Sequence, residues 1–263
     1  MTTLTTATAT ATATTVTAMT VAPPPDPGST ARTRVHRLPE KAVTDRSALH
    51  GILDAGLVAH LAVADAGGRP DGPAHAAQPS TVQPWVHPFT VQPFALPVAY
   101  ARADETVLFH GSTASRLFRL CAAGSPVCFT VTLVDGLVLA RSAFESSMNY
   151  RGAMVLGHCA VLHGRAKLAA LERISEHLMP GRWKEIRHPS EQELHATTVL
   201  ELGLDECSVK VSAGGPDDAE GDAALPVWAG TVPLGESWCD PVPADDLSPE
   251  FASAPEYIRR WRR

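Results

Sequence analysis

The sequence predicts a mainly β protein with a few helices, arranged as an antiparallel β-barrel rather than a doubly wound sheet. About seven or eight short apolar segments have strand character, and tight-turn signals such as Asp135-Gly136 connect most of them. The helical patterns between these segments are few and short. A doubly wound sheet would instead need a helix between each pair of parallel strands, so the antiparallel architecture is favoured.

The elements of the first half begin with a helix from Arg46 to about Ala55, which Asp45 caps and Gly56 ends. A strand follows at residues 57–64, and further strands are predicted at 95–102 and 106–110. The next apolar period indicates a helix over 112–123. Its start lies directly behind the strand, which makes this junction the most informative part of the chain.

The second half begins with an unbroken apolar run at residues 126–134, which is typical of a strand buried on both faces. Asp135-Gly136 predicts a hairpin turn that leads into a strand at 137–142. A long strand interrupted near Gly157 comes next, at 150–162. The remaining elements are predicted to be a helix at 166–177, a short helix after Ser190, and strands at 197–204, 208–212 and 225–234.

The domain organisation follows from changes in composition along the 263 residues. Residues 1–35 are rich in Thr, Ala and Pro and predict a disordered tail, residues 36–235 are long enough for one domain, and 236–263 form a C-terminal extension. A Pro- and Gln-rich insertion at 73–94 interrupts the domain. It contains the sequence TVQP twice, at 81–84 and 90–93, which indicates a duplicated loop rather than a repeat architecture.

Charge and cysteine content exclude several classes of protein. The formal net charge of -6 argues against nucleic acid as a partner, and the basic residues at 259–263 are expected to be a solvated tail. No apolar run is long enough to span a bilayer, so no membrane partner is predicted. The 5 cysteines lack a C-x-x-C pair and the 11 histidines lack ligand spacing, so neither a disulfide framework nor a metal site is expected. We therefore expect a cytoplasmic protein.

The segment HGSTASR at residues 110–116 stands where a predicted strand passes into a predicted helix. The first backbone N–H groups of a helix have no partners within it, and together with Arg116 they are suited to binding a phosphate. Gly111 has no side chain and so allows the backbone to approach a bound phosphate closely. The alternative interpretation is an ordinary helix cap by Ser112 or Thr113.

Six sequence blocks in a fixed order resemble the pyridoxamine 5'-phosphate oxidase-like flavin-binding superfamily, in particular its flavin-nucleotide-binding branch similar to nitroimidazole-resistance proteins. The resemblance covers about residues 36 to 235. The blocks are RLPE at 37–40, LPVAYAR at 96–102, HGSTASR at 110–116, VTLVDGLVLARSAF at 131–144, SMNYR at 147–151 and LPVWAG at 225–230.

This resemblance implies an antiparallel FMN-binding split β-barrel, a homodimer with the cofactor at the subunit interface, and an oxidoreductase that acts on a small-molecule electron donor or acceptor. It implies three groups of cofactor-binding residues: a strand along the flavin ring, a phosphate group, and residues near the flavin or the facing subunit. These are Leu96, Pro97, Val98, Ala99 and Tyr100; His110, Gly111, Ser112, Ser115 and Arg116; and Arg141, Tyr150, Arg151 and Trp228.

Other interpretations remain open at this point. His110 could be a structural strand-end histidine, Arg141 and Arg151 could form interface ion pairs around Glu145, and Trp228 could belong to the core. The same scaffold could carry haem, with His110, His158 or His163 as axial ligand, or a deazaflavin, or it could be a non-catalytic module that recruits a partner.

One departure from the resemblance bears on the reaction. Pyridoxamine-phosphate oxidases carry an Arg-Leu-His-type motif near the C-terminus that binds the substrate phosphate, and no similar motif stands between residues 233 and 263. Oxidation of the vitamin B6 phosphate is therefore not expected. The sequence does not identify a catalytic residue.

Overall fold

The computed structural model describes residues 23–65 and 92–261. Ten strands and five α-helices are found in these ranges. The strands are β1 (Ala42–Val43), β2 (Val58–Asp65), β3 (Gln92–Ala103), β4 (Thr106–Ser112), β5 (Pro126–Leu139), β6 (Ser147–His158), β7 (Ala160–Val161), β8 (Thr197–Gly203), β9 (Glu206–Ser212) and β10 (Gly230–Pro233). The helices are α1 (Arg46–Ala55), α2 (Arg116–Ala122), α3 (Gly164–Leu178), α4 (Glu191–Ala196) and α5 (Glu256–Arg259).

The strands form one antiparallel sheet in the order β1-β9-β6-β5-β2-β3-β4-β8-β7, and β10 pairs with β5 beside this path. The path does not close within the described residues, so the sheet is a split rather than a complete barrel. The predicted fold class, a mainly antiparallel sheet with a few helices, is confirmed.

The main core fills the curved inside of the sheet, where α1 and α2 cover it. Tyr100, Phe109 and Phe129 are fully buried at its centre, and the rings of Tyr100 and Phe129 meet edge to face at 5.1 Å between centroids. A second, smaller core lies under α3 around Ile174 and Trp183. Edge-to-face aromatic pairs contribute about 0.5–1.5 kcal/mol beyond the burial of their area.

β3 changes its strand partner halfway along its length, and this change opens the barrel. Residues 92–99 pair with β2, whereas residues 100–103 pair with β4. Beyond the pair Tyr100↔Phe109 the two strands part, and β4 continues its pairing with β8 alone. In the described part of the chain, the edge of residues 92–99 that faces away from β2 therefore has no strand partner, and its backbone groups can accept other partners.

Several predicted elements are confirmed because their local signals agree with their packing. α1 begins after Asp45, whose carboxylate accepts a hydrogen bond from the Ser47 N–H at 2.8 Å, and it ends at Gly56. α4 begins after Ser190, which forms a capping box with Glu193. Such caps each contribute about 1 kcal/mol.

The predicted hairpin at Asp135-Gly136 is wrong, because β5 runs straight through it with only a register shift between Val134 and Gly136. Gly136 has a different role. A Cβ there would lie 2.7 Å from the Val232 carbonyl oxygen, so the glycine allows β10 to approach β5. The predicted final strand at 225–234 is shorter, with only Gly230–Pro233 paired.

Two further predictions about β5 and α2 are corrected. Val127, Phe129 and Val131 are buried but the residues between them are at least partly exposed, so β5 is buried on one face only. The helix predicted at 112–123 begins at Arg116, because β4 continues to Ser112 and pairs there with β8.

The ends of the domain also differ from expectation. Residues 23–35 were assigned to the tail, yet they contact β9: the Gly28 N–H donates to the Cys207 carbonyl at 2.7 Å and Thr33 is buried. The predicted insertion at 73–94 lies outside the described residues except for 92–94, which belong to β3. In the C-terminal extension, the Trp261 indole N–H donates to the Pro180 carbonyl at 3.2 Å. None of the helices in the described ranges has the length and apolar character to cross a membrane.

Candidate functional site

The structure brings the predicted phosphate residues together at the end of β4 and the start of α2. His110, Ser112 and Arg116 are exposed, and Ser115 immediately precedes the helix. Ser115 occupies the cap position without a side-chain hydrogen bond, while the Ser112 hydroxyl accepts from the Ala114 N–H at 3.1 Å. The alternative of a cap by Ser112 or Thr113 is therefore wrong, since the helix begins further along the chain.

Gly111 lies against the ring of Phe118 on α2. A Cβ at Gly111 would come within 2.2 Å of that ring, a distance that real Cβ atoms do not show. Phe118 itself is buried and packs edge to face on Phe109 at 6.1 Å. The glycine therefore sets how closely α2 approaches β4, and with it the position of Arg116.

Arg116 has a partner that the sequence did not reveal. Its guanidinium Nε donates to Asp65 Oδ2 at 2.8 Å, and its Nη2 donates to the same oxygen. One face of the guanidinium lies over the Phe94 ring, 5.6 Å from the centroid. The Arg116 side chain remains 61% exposed, so donors on its other edge are available to a ligand. Asp65 was assigned only to a turn, and 51 residues separate the two partners.

The side chains of the predicted flavin-lining strand differ in where they point. Leu96 and Pro97 are exposed on β3, whereas Val98 and Tyr100 point into the core and Ala99 is half-buried. The backbone of residues 96–99 belongs to the edge that β4 leaves open. This segment thus presents peptide groups and the apolar surface of Leu96 and Pro97, the features suited to a flat ring system.

Tyr100 is a core residue rather than a ligand contact of its side chain. Its hydroxyl donates to the Leu53 carbonyl at 2.7 Å, at the end of α1, and the residue is 0% exposed. Tyr100→Phe is expected to lower the free energy of unfolding by about 1–3 kcal/mol, since the buried carbonyl loses its donor. Chemical denaturation measures the loss. Unchanged stability would contradict the assignment, and we expect ligand affinity to be unaffected.

The His110 imidazole lies beside the other predicted phosphate-binding residues. The residue is exposed at the surface, but neighbouring protein atoms partly desolvate the imidazole, and this desolvation lowers the pKa of His110 from its usual value. The side chain is therefore neutral at pH 7, and it can donate or accept a hydrogen bond there without adding positive charge.

The remaining predicted residues lie elsewhere in the fold, and the two arginines among them form ion pairs with aspartates. Arg141 donates from its backbone N–H and its guanidinium to Asp218, at 2.6 and 2.5 Å. Arg151 makes a bidentate pair with Asp135, and this bond lowers the pKa of Asp135. Both arginines therefore have partners other than Glu145. Tyr150 is half-buried and lies opposite Val134 on β5.

Trp228 is not part of the core. It is 67% exposed, and its ring covers Gly230, where a Cβ would come within 2.8 Å of it. The Trp228 ring, which lies over the backbone of Gly230, therefore presents a large flat surface to solvent.

The two halves of the predicted site are far apart within one chain. Arg116 lies at the end of β2, where Val63 pairs with Val127, whereas Gly230 beside Trp228 pairs with Leu139. The twelve residue steps along β5 from Val127 to Leu139 correspond to a strand length of roughly 40 Å. Arg116 and Trp228 therefore lie toward opposite ends of β5 in the same chain.

The Trp228 end of β5 carries an exposed apolar row. Leu137 pairs with Met148 of β6 on one side and with Val232 of β10 on the other. The three side chains are 53%, 46% and 48% exposed. These residues therefore form a continuous exposed apolar patch across three strands rather than scattered apolar side chains.

A cleft of about 180 Å³ lies beside Arg151, between β5, the end of α1 and residues 234–236. Ligand pockets for drug-sized molecules have volumes of roughly 300 to 1,000 Å³, so this cleft is too small for a flavin. Within residues 23–65 and 92–261, no three His, Cys, Asp or Glu side chains are grouped so that they could hold a metal ion.

Comparison with known proteins identifies the family. The family model for pyridoxamine 5'-phosphate oxidase matches residues 86–211. The FAD and heme binding protein from Mycobacterium smegmatis is 34% identical, with 83% of this chain and 96% of that chain covered and a TM-score of 0.70. The flavocytochrome Anf3 from Azotobacter vinelandii is 33% identical, with 91% and 99% covered and a TM-score of 0.74.

A search of the curated proteins finds no significant match. The two solved structures nevertheless match over nearly their whole length at more than 30% identity, and their folds superimpose on the split sheet described above. This chain belongs to the pyridoxamine 5'-phosphate oxidase-like family of split-barrel proteins.

Proposed function

We propose that this protein binds a flavin nucleotide in a site shared by two copies of the chain and transfers electrons between the flavin and a small molecule. The similarity to the FAD and heme binding protein carries this proposal, because that similarity extends over 96% of its length at 34% identity. The resemblance of the sequence blocks favoured FMN, whereas the similar protein binds FAD. Both flavins share the ring system and the first phosphate, so the proposal is independent of that choice.

Two sets of described residues fit a flavin, one suited to its phosphate and the other to its ring. Arg116, with free donors on one edge, and the exposed Ser112 hydroxyl are suited to a phosphate. The open edge of β3 at residues 96–99 offers peptide groups to the polar rim of a flat ring, and Leu96 offers apolar surface. One chain therefore supplies one side of such a site and leaves the other side to solvent.

A second copy would supply the missing side. Trp228 and the apolar row of Leu137, Met148 and Val232 are exposed toward the opposite end of β5 from Arg116, so they are available to a partner. In a two-fold dimer, one surface of each copy meets the same surface of the other, which creates two equivalent sites. This arrangement brings the two ends of β5 together between chains.

A flavin supplies hydride or single-electron transfer when it is bound. The residues of this chain would position the flavin and shield it from water. Arg116, held by Asp65 and Phe94, anchors the phosphate, and the backbone of residues 96–99 orients the ring. The neutral His110 can hydrogen-bond to the ligand without a change of charge at pH 7. Exposed Trp228 of the facing copy would exclude water from the ring.

Haem is a second candidate, and one histidine favours it. The Nδ1 of His158 lies 2.8 Å from the Gly124 carbonyl, and the residue is exposed. A hydrogen bond from Nδ1–H to a carbonyl fixes the ring and leaves Nε2 free, which is the usual arrangement of a metal-ligating histidine. Both similar proteins are described as binding haem or as a flavocytochrome.

Release of the bound cofactor from purified protein, followed by mass spectrometry, tests the proposal. We expect FMN or FAD, and the absorption spectrum of the intact protein separates flavin from haem and from a deazaflavin. Stripped protein is then titrated with each compound. A colourless protein that binds neither FMN nor FAD after stripping would overturn the flavin proposal. A haem spectrum that disappears in His158→Ala would support the second candidate.

A further inference from the structure

Among the described residues, the predicted phosphate-binding residues together with Asp65 carry almost no net positive charge, which is unusual for a site that binds a phosphomonoester. Asp65 Oδ2 accepts two hydrogen bonds from Arg116, so the arginine charge has a carboxylate charge directly beside it. The Asp65 side chain is only 10% exposed, so solvent screens its charge weakly. Arg116 and Asp65 together are electrically neutral.

The described groups next to this pair do not restore a positive charge. His110 is neutral at pH 7, because desolvation lowers its pKa. On β8, the residues paired with Gly111 and Ser112 are Thr198 and Thr197, which are uncharged. Arg119 lies one turn further along α2 and is exposed, so the surrounding water weakens the contribution of its charge.

Asp65 also fixes the direction of Arg116. The carboxylate occupies the Nε and Nη2 edge of the guanidinium, and Phe94 covers one of its faces. The donors that remain point away from Asp65, so a bound phosphate lies across the guanidinium from the carboxylate. Each negative charge on that phosphate is attracted by Arg116 and repelled, from a little further away, by Asp65.

We infer that Asp65 determines how much negative charge the site accepts on the first phosphate of its ligand, and that it discriminates against a phosphomonoester in favour of a diphosphate diester, in which each phosphate carries a single charge. The inference rests on the proposed function. A phosphomonoester such as FMN carries about -1.5 to -2 at pH 7, whereas each phosphate of a diphosphate bridge such as that of FAD carries a single charge. The Asp65 carboxylate therefore opposes the first phosphate of FMN more strongly than the first phosphate of FAD, and the second charge of FAD lies further from it.

Three ligands isolate this effect: riboflavin, which has no phosphate, FMN and FAD. Stripped full-length protein is titrated with each, and the affinities for FMN and FAD are divided by that for riboflavin. Asp65→Asn keeps an oxygen that accepts from Arg116 but removes the charge. We expect the FMN ratio to rise about tenfold and the FAD ratio by less, about threefold, because Coulomb energy is proportional to charge and falls with distance, and the second charge of FAD is the more distant one.

Two further variants serve as controls. Asp54→Asn removes the charge from a similar bidentate pair with Arg102, at the other end of β3, and is expected to leave both ratios unchanged. Asp65→Glu keeps the negative charge and is expected to retain the wild-type preference. Equal changes of the FMN and FAD ratios in Asp65→Asn, or no change, would overturn the inference. If wild-type protein binds none of the three ligands, the proposed function fails as well.

Discussion

Replacement of Gly111 by alanine will lower the free energy of unfolding by about 1 to 3 kcal/mol, the usual cost of forcing extra volume into a packed core. The new Cβ would lie 2.2 Å from the Phe118 ring. That ring cannot swing aside, since Phe118 is buried and packs on the fully buried Phe109. Either α2 must move away from β4, or β4 must bend. Both movements displace Arg116.

Thermal unfolding measures this loss, which corresponds to a decrease in Tm of roughly 2 to 10 °C for a domain of this size. Gly51→Ala is the matched control. Gly51 is an exposed residue of α1, and a Cβ there would meet nothing within 4 Å. Because alanine is the better helix former, this variant should gain about 0.5 to 1 kcal/mol. Gly111→Ala as stable as wild type would show that α2 is not held against β4 as described.

The parts of the fold that could be predicted are those whose signal is local. α1 carries its own cap at Asp45, and α4 carries a capping box between Ser190 and Glu193. Each signal lies within a few residues of the element it defines, so no knowledge of distant partners is needed. Strand alternation predicted β2 in the same way, since its side chains point by turns to the core and to solvent.

The errors arise where a distant strand changes the meaning of a local signal. Asp135-Gly136 has the composition of a hairpin turn, but β10 pairs with β5 at this point, almost a hundred residues further along the chain. The pairing keeps β5 extended, and the glycine is needed for close approach instead. Gly111 and Ser112 were likewise assigned to the helix start, but β8 extends the β4 ladder through them.

The candidate site shows the same limit. The segment at residues 110–116 marked Arg116 from sequence alone, yet neither Asp65 nor Phe94 was associated with it, because only the fold brings them together. The resemblance to a family placed Trp228 near the same cofactor. The structure separates Trp228 from Arg116 by most of β5, so a single chain leaves the predicted set divided.

The substitutions with the largest expected effect on flavin binding are those of Arg116 and Trp228, the two separated residues of the predicted site. Arg116→Ala should weaken flavin binding by about 1.5 to 3 kcal/mol, the value of a charge-assisted hydrogen bond. Trp228→Ala should also weaken it, by the loss of an aromatic surface, and it leaves the isolated chain intact because the side chain is 67% exposed. Both effects are measured by titration of stripped protein, with thermal unfolding as a check on Arg116→Ala, in which the ion pair between Arg116 and Asp65 is lost.

Coexpression of the two variants with different affinity tags tests whether the site is shared between copies. In a dimer of Arg116→Ala with Trp228→Ala, one of the two sites receives both substitutions and the other receives neither. We therefore expect the doubly tagged dimer to bind flavin with wild-type affinity at about half the wild-type stoichiometry. Each singly substituted dimer has two impaired sites and should bind weakly at both. If each site belonged to one chain, every site of the mixed dimer would carry one substitution, and no site of wild-type affinity would appear.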